Sequence, residues 1–353
     1  MKNSKNKKSF WILLISILIL TIPLINKTFQ NDTYFTIPTG NYILENGIDE
    51  VEPFTWHENL KFTKLRWGFD IIVASIYNIS GLDGLYIFTV IIAELIAATL
   101  FITMNKRGTN KIVSFIITIL AMITLSGGLT CRAQIISYLL FALEMYSIQQ
   151  LTDTNNKKYS IYLILISLGI LTFHSSVWLA YFIFYIPYIV EYIISKLGIN
   201  KFFEKSEKLI IQNNKIKLLL ITMIISLLCG FISPLGLSNF TYMPKVIGGT
   251  SSDIIIELQS LMIEEDTSLI IVTMILFIIL AFTKTKIKIT DLAYIVGFLI
   301  FATLAKRNVM IAIVALAIPI SNLINTLIKA YDKEDIFDFI EKKIGKFTTA
   351  SII

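Results

Sequence analysis

The sequence predicts an all-α polytopic membrane protein with about ten transmembrane helices and interfacial helices in its first outer loop. Three observations carry that expectation. Of 353 residues, 55% are hydrophobic and only 16% charged. The mean hydropathy is +0.72, more apolar surface than a water-facing domain can bury. The apolar residues also come in runs close to the roughly 20 that a helix needs to cross about 30 Å of hydrocarbon.

The runs fall near 9–26, 82–104, 112–128, 133–151, 159–173, 175–196, 217–234, 267–283, 290–305 and 308–328. Backbone groups in hydrocarbon must be satisfied within their own segment, so each run reads as helix. The start, "MKNSKNKKSFWILLISILILTIPLI", has the basic and apolar parts of a signal peptide but no small-x-small cleavage site, and reads as a retained first helix. The segment 64–80, "KLRWGFDIIVASIYNIS", is short and interrupted by Arg66 and Asp70. The placement of Lys and Arg decides its role. If it lies in the interface, ten spans put 23 of the 31 Lys and Arg on one side and eight on the other; as a span it inverts the bias. The positive-inside rule favours the first arrangement. The expectation is a multi-pass protein of the cell membrane with both termini cytoplasmic.

Residues 1–353 then form one transmembrane domain. Within it, 27–81 is the first outer loop with juxtamembrane helices, and 235–266 a long outer loop. Residues 197–216 read as a cytoplasmic connector and 329–353 as a cytoplasmic amphipathic tail. The net charge of +6 is spent on this topology rather than on a nucleic-acid face, so membrane lipids are the expected surroundings. Cys131 and Cys229, with no CxxC, read as two buried thiols. Nothing in the sequence fixes an oligomeric state.

The chemistry-bearing residues fall in the outer breaks. These are the first loop, then "SGGLTCRAQ" (126–134), "TFHSSVW" (172–178), the long loop, and "LAKRNV" (304–309). The cytoplasmic turns carry little beyond lysine. A transporter scatters ionisable groups near the bilayer midplane, where only Glu94 and Glu144 stand. Concentration at the outer rim points instead to an enzyme acting on lipid-linked material.

Asp32, at the hydrocarbon edge, can accept a hydroxyl proton or ligate a cation. Asp49, Glu50, Glu52 and Glu58 surround His57; two histidines are too few for zinc, but a carboxylate-held Mg²⁺ or Mn²⁺ is compatible with these acids. Arg132 and Arg307, costly at membrane depth, suit a phosphate or pyrophosphate. His174 interrupts an apolar pattern, and Glu257 sits on a short helix of the long loop. Each also has an ordinary reading: a solvated acid, a snorkelling arginine, a packed imidazole. No GxGxxG, Walker A or GxSxG motif occurs, so a sugar donor would be lipid-linked rather than a nucleotide sugar. A flippase of lipid-linked sugar, a polysaccharide polymerase or ligase, and a non-catalytic membrane subunit stay open as alternatives.

The order of short motifs resembles the GT-C class of integral-membrane glycosyltransferases over roughly residues 10 to 320. "NDTYFTIPTGNYILENGI…PFTW" resembles the acidic first outer loop of that class, and "KLRWGFDIIVASIYNISGLDGLY" its juxtamembrane helix. "CRAQIISYLLFAL" is similar to an Arg-Pro-Gln element with Ala133 in place of Pro, and "FHSSVW" to an Asn-x-His-Gly element. "SPLG…IIELQS" is similar to an Asn-Pro-x-Gly…Glu-Trp element, with Ser233 for Asn and Leu258 for Trp. The resemblance implies inverting transfer of a sugar from a polyprenyl-phosphate-linked donor at the outer face. It makes Asp32 the base or metal ligand, with His174 or Glu257 assisting. Arg132 and Arg307, with Lys245 or Lys306, would hold the donor phosphate. Tyr34, Phe35, Tyr42, Trp56 and His57, on a loop turned by Gly40 and Gly47, would shape the sugar and acceptor pocket.

Overall fold

The structure, a computed structural model, describes residues 2–62, 64–197, 208–212, 216–247, 254–262 and 267–350. It is 78% helical. Among the described residues, strand is confined to one two-residue parallel pair, β1 (Leu209–Ile210) on β2 (Ile287–Lys288), and an isolated bridge, Val51 to Lys61. The chain is therefore built of helices: α1 (Lys2–Thr21), α2 (Asn31–Asn46), α3 (Trp67–Lys106), α4 (Lys111–Leu125) and α5 (Ala133–Thr154). There follow α6 (Lys158–Phe173), α7 (Trp178–Tyr181), α8 (Ile186–Lys196), α9 (Lys217–Leu228) and α10 (Ser238–Ile247). Last come α11 (Thr267–Phe282), α12 (Ile289–Leu304), α13 (Asn308–Tyr331) and α14 (Ile336–Ala350).

Five stretches among the described residues are long and apolar enough to cross a membrane. They are Lys7–Leu24, Trp67–Lys106, Lys111–Gly128, Ser175–Lys196 and Asn308–Tyr331. Four shorter apolar helices accompany them. Fully buried aromatics, among them Phe69, Phe101, Phe141, Trp178 and Phe298, knit the interior. The outward faces keep their apolar side chains exposed, as at Ile87, Ile91, Leu120, Ile161, Leu165 and Ile275. Apolar surface of that extent marks contact with something other than water, and lipid is the match for helices of this composition.

Most of the 197–216 connector, and residues 248–253 and 263–266 of the long loop, lie outside the described residues. The tail helix α14 is anchored by Lys111 Nζ to Glu341 Oε1 at 2.5 Å. The first loop carries two helical pieces, α2 and the opening limb of α3. Gly81 (φ 60, ψ −152) breaks α3 between that limb and the apolar limb beyond. A side chain rarely adopts such a backbone conformation, which is why a glycine marks the corner. α2 lies against the first limb at close range: a Cβ on Gly40 would collide with the Asp70 carbonyl and with Ala74. That contact fixes where the N-terminus of α2, and Asp32 with it, can sit.

Candidate functional site

The polar breaks between helices meet at one end of the bundle. Asn26 N donates to the Leu129 carbonyl (3.0 Å) and Asn26 Nδ2 to that of Ser126 (2.9 Å), tying the end of α1 to the turn after α4. Buried Thr33 Oγ1 donates to the Cys131 carbonyl at 2.8 Å, docking α2 on the residue before Arg132. Ser175 N and Oγ both donate to the Leu65 carbonyl (2.7 and 3.1 Å), joining the α6–α7 turn to the start of α3. Residues 257–261 are laced to the α12–α13 turn by Arg307 N to the Glu257 carbonyl (3.0 Å) and Lys306 N to that of Gln259 (2.9 Å). Leu261 N to the Thr303 carbonyl (3.1 Å) completes the seam. Glu257 itself lies on a single 3₁₀ turn, Ile256–Leu258, rather than on a longer helix.

These anchors enclose a cavity of about 410 Å³. Asp32, Arg132, His174, Glu257 and Arg307, drawn from five separate breaks, all line it. Asp32 stands in the first turn of α2, where the helix dipole favours a carboxylate. Its Oδ2 meets Arg132 Nη2 at 2.6 Å, and Glu257 Oε2 lies 3.8 Å from the same nitrogen. Arg132 Nη1 donates to Gln30 Oε1 at 3.0 Å. Arg132 is the extended residue that opens α5, and Ala133 takes the first helical position, one that proline also fills without loss. The Arg132 side chain is 22% exposed, Asp32 45% and Glu257 46%.

Half-buried His174 holds Ser137 Oγ at 2.7 Å through Nδ1, leaving Nε2 unclaimed among the described residues. Burial, then the fields of Arg307, Arg66 and Arg132, lower its pKa to about 3. The ring is a neutral donor–acceptor at any ordinary pH. Burial also lowers the Arg307 pKa, opposed by Glu257 and Tyr242. Tyr242 on α10 is pushed up by burial, with Arg307 pulling it back. Cys131 behind the site is raised to about 11 by burial, with Thr89 opposing, so it is an inert thiol.

Other predicted residues lie elsewhere. Lys245 and Lys306 do not line the cavity, although the Lys306 backbone helps form its wall. Tyr34 faces a separate opening with Phe29, Leu82 and Tyr86. Tyr42 donates to Asp49 away from the site. Trp56 is 90% exposed, with His57 edge-on to it at the tip of the loop. Of that loop, Phe35, Thr39, Glu52 and Phe62 reach the cavity. Sequence reasoning passed over the third arginine: Arg66 Nε pairs with Asp70 Oδ1 at 3.2 Å, and both line the cavity with Gln134, Ser137 and Tyr138. Their signal was present, as the two charges that interrupt 64–80 at the spacing of one helical turn.

The acids do not gather as cation ligands. No group of three or more His, Cys, Asp or Glu converges among the described residues, and the Asp32 carboxylate is engaged by Arg132. Among the described residues, then, no three-ligand site for the Mg²⁺ or Mn²⁺ considered from sequence is preformed. Of the two acids expected near the midplane, Glu94 accepts from Thr21 Oγ1 at 2.8 Å. Glu144 is fully buried with neither oxygen bonded among the described residues. What the cavity offers is four carboxylates, Asp32, Glu52, Asp70 and Glu257, beside three guanidinium groups and a neutral imidazole. Comparison with known protein families finds no match, and none is found among curated proteins.

Proposed function

We propose that the chain is a membrane glycosyltransferase that moves a sugar from a polyprenyl-phosphate-linked donor to an acceptor hydroxyl. The observation that carries the reading is the meeting of Asp32 and Arg132 at 2.6 Å in a cavity that Arg66 and Arg307 also face. Arg132 and Arg307 bind the donor phosphate, which takes the place of part of the Asp32 contact and releases the carboxylate. Asp32 accepts the acceptor's proton as its oxygen bonds to the anomeric carbon. The bond from that carbon to the phosphate oxygen breaks, and the electron pair leaves on the phosphate. Guanidinium donors already in place stabilise the growing charge without reorganisation. Neutral His174, fixed by Ser137, orients the acceptor or the sugar through Nε2.

In this reading ten helices cross the membrane, the cavity opens at the outer face, and both termini are cytoplasmic. The acid-and-arginine fold of the first loop is a reaction-chamber wall of the kind the GT-C class uses. The test is transfer by purified, reconstituted protein from a polyprenyl-phosphate-linked sugar. Asp32→Asn is expected to cut it by about 10²–10⁴-fold; full transfer by that variant overturns the assignment of the base.

A further inference from the structure

A second polar cavity lies at the opposite end of the bundle, where α3 and α5 finish and β2 leads into α12. It holds about 100 Å³, room for roughly three waters or one tetrahedral oxyanion. Lys106, Arg107 and Lys288 line it against a single acid, Asp153. Arg107 is 9% exposed and is held in place by Asp291 Oδ1 at 3.1 Å from Nη1, which leaves the rest of its fork to be used. Counting Asp291 behind Arg107, and Glu191, which accepts from the backbone N of the lining Gln212 at 2.7 Å, the formal charges balance, but of these acids Asp153 alone lines the cavity.

The cations differ in how far they are satisfied. Lys106 Nζ donates to Tyr146 OH at 2.9 Å. The Lys288 amine has no partner among the described residues, although its backbone is fixed by pairing with Ile210. Gln149, 5% exposed, donates from Nε2 to Asp153 Oδ2 at 3.5 Å. Its Oε1 is buried with no hydrogen-bond partner among the described residues. A buried acceptor in that state costs about 1–3 kcal/mol of desolvation unless something donates to it.

We propose that this cavity binds the phosphate of a phosphoester, from a lipid headgroup or a soluble phosphate compound. The oxyanion sits among Lys106, Arg107 and Lys288, which all line the cavity, and a protonated phosphate oxygen or neighbouring hydroxyl donates to Gln149 Oε1. A carboxylate would satisfy the cations but has no proton at neutral pH for that acceptor. The site is independent of the chemistry assigned to the first cavity, and it stands or falls without it.

The test is amine acylation of the full chain, read residue by residue by mass spectrometry. In detergent, inorganic phosphate is titrated at constant ionic strength against sodium chloride. In lipid nanodiscs, phosphatidylglycerol is compared with phosphatidylcholine. Saturable protection of Lys106 and Lys288, with Lys245 unprotected, is expected from inorganic phosphate if the site takes soluble phosphate. Protection in phosphatidylglycerol discs alone identifies a headgroup. In Lys106→Gln, the half-saturation for protecting Lys288 should rise about tenfold, the loss of one charge-assisted contact. Protection that chloride reproduces, that survives Lys106→Gln unchanged, or that is absent from both arms overturns the proposal.

Discussion

Two arginine–aspartate pairs stand at opposite ends of this bundle and do different work. Arg107 and Asp291, 3.1 Å apart, are 9% and 3% exposed; Arg132 and Asp32, 2.6 Å apart, are 22% and 45% exposed. The shorter pair is the weaker one for folding. A half-solvated ion pair is screened and adds about 0–1 kcal/mol, whereas a buried one strands a charge when broken. Asn322 Nδ2 also donates to Asp291 at 3.1 Å, so the far pair sits inside a fixed network binding α3, α12 and α13. The Asp32–Arg132 pair faces a cavity in which either partner can be taken up by a ligand. Distance alone would have ranked the pairs backwards; exposure separates a structural contact from an exchangeable one.

Breaking each pair sharpens that contrast. Asp32→Asn should cut sugar transfer by about 10²–10⁴-fold, the usual reach of a general base, and leave unfolding within about 1 kcal/mol of the parent. Asp291→Asn should do the reverse. It leaves Arg107 buried without its counter-charge and should cost roughly 3–5 kcal/mol in detergent unfolding. Equal stability losses from the two variants would erase the distinction.

The proton gives a third way to probe the exchangeable end. His174 has a folded-state pKa of about 3, below the ordinary 6.5, through burial and the neighbouring arginines. Between those values the unfolded chain binds the proton first. The contribution of the neutral ring is therefore complete above about pH 6.5 and fades as pH falls toward 3. At pH 4.5 the parent should lose about 2–3 kcal/mol that His174→Gln does not lose, measured as the difference in unfolding between pH 7 and 4.5. Identical pH slopes would show that neither burial nor the arginines disfavour the charged ring.

Much of this architecture was legible in the residues. Apolar runs marked helices because hydrophobicity is a local property, and all ten predicted runs are helical here. The five polar breaks were also readable, since charge at the edge of an apolar run is expensive enough to need a reason. Which loop side chains would turn inward was not. Tyr34, Tyr42, Trp56 and His57 share a loop with Phe35 and Glu52, and composition cannot separate them. Their directions follow from tertiary contacts: the α2–α3 approach at Gly40 and the Val51–Lys61 bridge. Arg66 and Asp70 were visible as an interruption, but only packing shows that they face the same space as Arg132.

Trp56 gives the smallest expected effect and the sharpest check on that reading of the loop. The resemblance to the GT-C class made it one of the residues expected to shape the sugar and acceptor pocket. In the structure its ring is 90% exposed, it stands edge-on to His57, and it is not among the residues that line the cavity. The wall on that side is supplied by Phe35, with the Arg66 guanidinium 6.0 Å from its ring centre. Trp56→Ala should therefore change stability by less than about 0.5 kcal/mol, as for a surface site without special contacts. It should also leave transfer unchanged, while Phe35→Ala lowers it. If Trp56→Ala raises the KM for donor or acceptor while Phe35→Ala does not, the loop folds over the cavity when substrate binds, and the open arrangement described here is one of two.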